Sequence, residues 1–424
     1  MKKVLFKCTH LIANPQEDII SPGAFLVEDG KVKDFGLFNN LKEKYLKKND
    51  ISIKDFGEAY ILPGLINCHV HLCFPGDGSS VENFMTRYED EVISIVAAKN
   101  AQEALKAGVT TLRDLGGKNN ITFSVRKAIE EGQIIGPRLI LAGPALTITG
   151  GHMHYLNGEV DNKEEIKKKI RQIIKNGADC VKIIANGGGT KNTCVWKKSF
   201  EFEELEAAVK EAHRFNKPVT AHVSCVEAMK DCLDAKIDGL EHCDFRINEN
   251  EYQFNPQLAD RIVKQGIFVG KTLPSMYRTI QKMEKSIKFA TPNQLEEHNY
   301  FRSIFENSKK TFIKLYKHGV QLVASTDAGW RLNPFNDFVT DLEIMVDCGL
   351  STKEALTSAT IMAARALRME AKVGTLDISK FADFIVVRKN PLENISILRN
   401  PQNVFIGGKE VGGKEVGGKE VRLI

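Results

Sequence analysis

Short apolar runs alternate with longer stretches of helical period through most of this chain, and glycine punctuates the two textures. From about residue 61 the strand candidates are 61–71, 109–114, 138–142, 180–185, 218–222, 239–243, 268–273 and 320–326. Amphipathic segments lie between them, for example 92–107, 164–176, 202–215 and 307–318. A glycine followed by an apolar residue recurs where a helix gives way to the next strand, at Gly108, Gly177, Gly266 and Gly319. That is the expected place for a left-handed helix C-cap. Eight strands alternating with helices predict an α/β fold, a (β/α)8 TIM barrel. A doubly wound open sheet is the alternative, but no G-x-G-x-x-G follows a first strand.

The flanks have a different texture. Residues 1–60 read as short strands, with Asp29-Gly30 between two apolar runs as a hairpin signal. Residues 39–49 are lysine-rich, a helix or a loop. Short strands return after residue 372, at 373–376, 382–387 and 404–406. The two flanks, 1–60 and 372–411, are expected to build one small β-sandwich, with the 61–371 barrel inserted between its halves. Gly-Gly-Lys-Glu-Val occurs three times, at 407–411, 412–416 and 417–421. The first copy fits a hairpin return, and 412–424 is expected to be a flexible tail. The charged stretch 275–305 follows the seventh strand, where a barrel carries either a lid or a solvated helical insertion.

Composition narrows the class. At 424 residues, 42% hydrophobic and 27% charged, the chain reads as soluble and globular. The net charge of +5 is spread along the chain and gives no nucleic-acid signal. No run of about 18 apolar residues offers a membrane span. The basic start has no long apolar core and is not expected to be a signal peptide. Nine cysteines without paired spacing favour reduced thiols and a cytoplasmic protein.

The chemistry sits at strand ends. His69 and His71 are two residues apart, so in an extended strand both imidazoles point to one side. Lys182 lies in the fourth strand, His222 ends the fifth, His242 the sixth, and Asp327 the eighth. The active face of such a barrel is formed by the C-terminal ends of its strands, so these six groups converge on it. Four imidazoles and a carboxylate suit a divalent transition metal. Lys182 does not: an ammonium has no lone pair, and it serves only if neutral or chemically converted.

The set Pro-Gly-Leu-Ile-Asn-Cys-His-Val-His (63–71), Lys182, His222, His242 and Thr326-Asp327-Ala328-Gly329 resembles the amidohydrolase superfamily, over nearly the whole chain. The segment 144–152, ending Thr-Gly-Gly-His, is similar to the branch of imidazolonepropionase relatives and prolidase-like enzymes, which includes Xaa-Pro and Xaa-Arg/Xaa-Lys dipeptidases. The resemblance implies a binuclear centre. His69, His71 and Asp327 would hold one ion and His222 and His242 the other, with Lys182, carbamylated by CO2, as bridge. Zinc is the default. The activity implied is hydrolysis of an amide C–N bond in a dipeptide or N-acyl amino acid. Asp327 would act as proton shuttle, and His152 would meet the substrate carbonyl. Ser224 stands where dipeptidase-like relatives carry an aromatic or histidine residue for the substrate carboxylate. Arg331, Trp330, Lys271 and Tyr277 are the replacements to consider. His154 and His213 are read as incidental, and Glu241 as a support for the site. An assembly of identical subunits is expected. Two other readings remain. One is a mononuclear imidazolonepropionase- or deaminase-like hydrolase of cyclic amides or amidines, whose members generally lack the fourth-strand lysine. The other is a barrel that keeps the ligands but only binds.

Overall fold

The computed structural model describes residues 3–45, 51–249 and 251–412. Residues 413–424 of the expected repeat tail, and 46–49 of the lysine-rich stretch, lie outside them. Lysines of that stretch that are described belong to a helix, Phe38–Tyr45.

Two antiparallel-rich sheets come from the chain's two ends. One pairs Lys31–Leu37, Gly23–Glu28, Lys3–Cys8 and Ile51–Asp55 in that order. The other pairs Lys409–Gly412, Asn403–Ile406, Phe384–Val387, Tyr60–Pro63 and His10–Leu11. Both hairpin signals are met. Asp29 and Gly30 have φ of 54° and 77°, and Gly407 and Gly408 have 54° and 72°, the double positive φ that the twist of a two-residue hairpin demands. Aromatic rings from both sheets form one apolar cluster: Phe384 lies 5.0 Å from Phe6, 5.0 Å from Phe25 and 4.3 Å from Phe405, between ring centroids.

Eight parallel strands make the middle of the chain. Leu65–Val70, Val109–Asp114 and Arg138–Leu141 form a three-stranded sheet. Val181–Ile184, Val219–Cys225, Gly239–Arg246, Phe268–Gly270 and Gln321–Val323 form a five-stranded one. Within each of the two sheets their order in space follows the sequence. Backbone hydrogen bonds connect the two sheets at both edges: Leu146 donates to the Lys182 carbonyl at 2.9 Å, and Cys68 to that of Ala324 at 3.0 Å, among others. Helices such as Asp90–Lys106, Lys163–Lys175 and Phe202–Arg214 bury one face against the strands. The glycines expected as caps, Gly108, Gly177, Gly266 and Gly319, all have positive φ.

Two strand expectations are corrected. The run 61–71 is not one strand but two: Tyr60–Pro63 pairs with Phe384–Val387, and Leu65–Val70 starts the parallel series. The break is Gly64, where a Cβ would lie 2.1 Å from Thr110 Oγ1, so the backbone changes sheets where only glycine fits. The segment 373–376 forms no strand. Gly374 has φ +92° there, and Leu376 donates singly to Ala13. The charged stretch after the seventh strand is helical: Pro274–Ser286, then Pro292–Lys317. All nine cysteines are free, and no helix among the described residues is long and apolar enough to cross a membrane.

Candidate functional site

The first parallel strand delivers His69 at its end and His71 just beyond it. Their Nε2 atoms are 3.3 Å apart. Asp327, four residues past the eighth strand, brings Oδ1 to 3.5 Å from His69 Nε2 and 3.3 Å from His71 Nε2. All three residues are buried, and one ligand atom from each lies within 4.8 Å of the others. Asn67 sets this approach. It donates to Thr326 Oγ1 at 2.7 Å, and its own oxygen accepts from the backbone of Thr326 and His69 at 3.2 Å. The first and eighth strands are thereby stapled beside the site.

The ring nitrogens that face away are engaged. His69 Nδ1 lies 2.9 Å from Glu241 Oε2, and His71 Nδ1 lies 3.3 Å from the Gly116 carbonyl. A ring that donates through Nδ1 keeps its Nε2 lone pair for a cation. Glu241 is buried, and it also accepts from Arg113 and from Thr220, each at 2.8 Å. Arg113 reaches the Cys68 carbonyl as well, at 2.7 Å, so the support closes back onto the first strand.

His222 and His242 form the second half. Their ring centroids are 4.5 Å apart, and His242 is 5.4 Å from His69. His242 Nδ1 contacts Thr272 Oγ1 at 2.8 Å. His222 bonds the Gly187 backbone, while its buried Nε2 has no partner. A buried nitrogen left without a partner is costly, and a bound cation would satisfy it. Lys182 is 1% exposed and lines the same cavity. Burial pulls its ammonium down to about 8, against the smaller upward pull of Glu241 and Asp327. Burial likewise holds His69, His222 and His242 well below the ordinary imidazole value, and His152 at about 3, helped by neighbouring positive groups. The imidazoles are therefore neutral, the form that binds metal.

His152 is buried on the glycine-rich loop after the third strand. Its ring is 4.9 Å from His222, and its Nδ1 is 2.7 Å from Thr190 Oγ1. Gly188 makes room: a Cβ there would lie 2.3 Å from the imidazole. Backbone strain concentrates around this face. Met153, His242, Cys243, Phe245, Thr272, Asp327 and Arg331 all have φ between 50° and 70°. Such conformations persist in non-glycine residues where the surroundings enforce them, often at functional sites.

The cavity is lined by His69, His71, His152, Lys182, His222, His242 and Asp327, and by Ser224, Lys271, Trp330 and Arg331 among the other residues singled out from the sequence. Tyr277 is elsewhere: it packs 5.6 Å from Phe305, centroid to centroid, and is not in the lining. His154 faces Glu82 at 3.6 Å, and His213, on the outside of its helix, bonds Asp238 at 2.7 Å. The two helices after the seventh strand roof the cavity through Ser275, Met276, Tyr300, Phe301, Ile304, Phe305 and Ser308. Asn67, Arg113, Thr190, Asp244 and Arg246 also belong to the site or its frame. Nothing local in the sequence marks them, because their partners lie far along the chain.

Comparison with known proteins identifies the family. The chain is 26% identical over 421 residues to ochratoxinase of Aspergillus niger, covering 91% of this chain and 82% of the relative. It is 24% identical over 362 residues to imidazolonepropionase of Pseudomonas aeruginosa, covering 78% and 79%. The crystal structure of a Xaa-Pro dipeptidase with methionine bound in its active site superposes with a TM-score of 0.83 at 26% identity, covering 97% of this chain and all of that one. The family model described as "Amidohydrolase family" matches residues 60–411, more than half of the sequence. This chain is a member of the amidohydrolase family, a hydrolase acting on carbon–nitrogen bonds.

Proposed function

We propose that this enzyme is a binuclear metal-dependent hydrolase that cleaves the amide bond of a dipeptide or N-acyl amino acid. The observation that carries the reading is the donor set. Three ligand atoms of His69, His71 and Asp327 converge within 4.8 Å, and beside them lie a buried His222 Nε2 without a partner and a buried lysine. His69, His71 and Asp327 would hold one divalent ion and His222 and His242 the other, with Lys182 as a carbamate between them. Zinc suits these nitrogen and oxygen donors. Two such ions would lower the pKa of water and polarise the scissile carbonyl.

The remaining work falls to the chain. Asp327 takes the proton of the attacking water and returns it to the leaving amine. His152, placed by Thr190, donates to the substrate oxygen as charge builds on it. Glu241 fixes His69 in the tautomer that leaves Nε2 free. The roof helices exclude bulk water. A mononuclear reading is compatible with the triad and with the likeness to imidazolonepropionase, but Lys182 would then have no task. In architecture, the hydrogen bonds at both sheet edges support a closed (β/α)8 barrel over roughly 61–371. The shared aromatic cluster supports a sandwich built from 1–60 and 372–411.

The test combines metal content with turnover. Protein loaded with zinc and bicarbonate should hold about two ions per chain and release amino acids from a panel of L-Xaa-L-Xaa dipeptides and N-acyl amino acids. Asp327→Asn should abolish turnover while the unfolding temperature stays near wild type. One ion per chain in fully active protein removes the binuclear reading, and undiminished kcat in Asp327→Asn removes the shuttle.

A further inference from the structure

Besides the histidines, the cavity lining carries two guanidiniums, Arg246 and Arg331, that pair with no carboxylate among the described residues. The sixth parallel strand supplies the first of them. Val223 pairs with His242, but two residues further on Cys225 pairs with Arg246, so the sixth strand carries two extra residues between these pairs. A bulge of this kind re-aims side chains. His242, Asp244 and Arg246 all line the cavity as a result.

Arg246 is 3% exposed. It donates to the Tyr252 hydroxyl and bonds Tyr300, while its Nη1 has no partner. Among the described residues no carboxylate forms an ion pair with it. Asp244, two residues before it, is engaged elsewhere: Lys271 Nζ lies at 2.5 Å, and the hydroxyls of Ser308 and Ser224 at 3.3 and 3.4 Å. A second guanidinium lines the same cavity and, like Arg246, interacts with Tyr300. Arg331 lies 4.7 Å from the Phe301 ring centroid, next to Tyr300 on the roof helix, and its buried Nε also lacks a partner. Glu297 acts on Arg331 from a distance but makes no ion pair with it. Lys271 is neutralised by Asp244, and Lys182 and Asp327 belong to the ligand cluster. Two positive charges remain. Around them the lining is apolar: Leu273, Met276, Phe301, Ile304 and Phe305.

A buried guanidinium with an open N–H is expensive unless an anion completes it, and a planar fork is matched by a carboxylate. We propose that Arg246, with Arg331 beside it, binds the free carboxylate of an apolar amino acid on the amine side of the scissile bond. This deepens the amide-hydrolase reading and rests on it. It also disfavours Xaa-Arg and Xaa-Lys substrates, because a cationic side chain would meet an apolar lining and an Asp244 already paired with Lys271.

The test is a binding measurement on the metal-loaded, full-length enzyme, with L-phenylalanine and L-phenylalaninamide as product-side probes. These differ only in the carboxylate. Calorimetry should show the acid binding about 10- to 100-fold more tightly, the range for one charge-assisted hydrogen-bonded pair. Arg246→Met should reduce the acid to the affinity of the amide and leave the amide unchanged, with unfolding temperature and metal content retained. Arg246→Lys should restore part of the difference. If Arg246→Met fails to fold, Arg331→Met decides, with a several-fold loss for the acid alone. Equal binding of the two probes to wild type, no binding of either, or a preference that survives both methionine variants overturns the proposal. Hydrolysis of N-acetyl-L-phenylalanine is scored separately. A carboxylate preference without any turnover sinks the hydrolase reading and not the subsite.

Discussion

Lys182 sits between Val181 and Ile183 in a strand buried along its whole length, and no ion pair compensates its ammonium among the described residues. Carbamylation requires the neutral amine, since only its lone pair attacks CO2. With the ammonium held at about 8 instead of 10.5, about 10% of the metal-free protein carries a neutral Lys182 at pH 7, against about 0.03% for an ordinary lysine. Burial therefore raises the reactive fraction roughly 300-fold. The assay is uptake of 13C-labelled CO2 by metal-free protein, followed by NMR at constant dissolved CO2. The initial rate should rise about tenfold per pH unit up to pH of about 8 and then level off. Lys182→Gln should lose the one carbamate resonance that metal protects, leaving only the signal of the α-amine and surface lysines, and, with metal supplied, should retain less than about one hundredth of the activity. The same burial has a cost. The folded state resists a proton that the unfolded state accepts, so about 3 kcal/mol of stability is missing below pH of about 8 and returns by about 10.5. A rate still climbing toward pH 10.5, or a fully active loaded enzyme without label, would refute the reasoning.

Two further outcomes follow from the same network. Glu241→Gln weakens the hold on His69 and leaves Arg113 facing a neutral amide. Metal affinity should fall about 10- to 100-fold by competition with a chelator, with a lowered unfolding temperature, and unchanged affinity would show that Glu241 does not orient the ligand. Removal of metal should also expose a pH dependence. His69, His222 and His242 have folded values well below the ordinary 6.5, and His152 lies at about 3, so below pH of about 6.5 the unfolded chain binds more protons than the folded one. Their contribution is present above that pH and is lost as pH falls, by up to about 1.4 kcal/mol per pH unit for each histidine. Metal-free protein should thus melt at a steady temperature from pH 7.5 to 7 and progressively lower toward pH 5.5. A flat profile would contradict the buried neutral imidazoles.

The residues that line the candidate site are legible in the sequence where their signals are local. A strand's alternation and its glycine stop depend on neighbours in sequence, and a His-x-His pair needs no partner to be noticed. The run 61–71 was misread as one strand because its apolar pattern is continuous. What divides it is Thr110, crowding Gly64 from a neighbouring strand. Likewise 373–376 has strand composition, but Gly374 turns the backbone away from any sheet. Tyr277 lies near the right strand end, yet a helical turn directs it to Phe305.

Chain order and hydrophobic period alone give the alternation of strands and helices, the residues at the strand ends, and a lysine among imidazole and carboxylate donors. How those donors are held and what surrounds them depends on contacts made in the folded chain. Asn67 and Thr326 are 259 positions apart, and Glu241 and His69 are 172 apart. No local pattern encodes such pairs. The same holds for charge. Lys271 and Arg246 look alike as cations in sequence, but Asp244 neutralises the first and leaves the second open. Whether a buried charge is structural or waits for a ligand depends on the partner that packing supplies, and packing is a property of the folded chain.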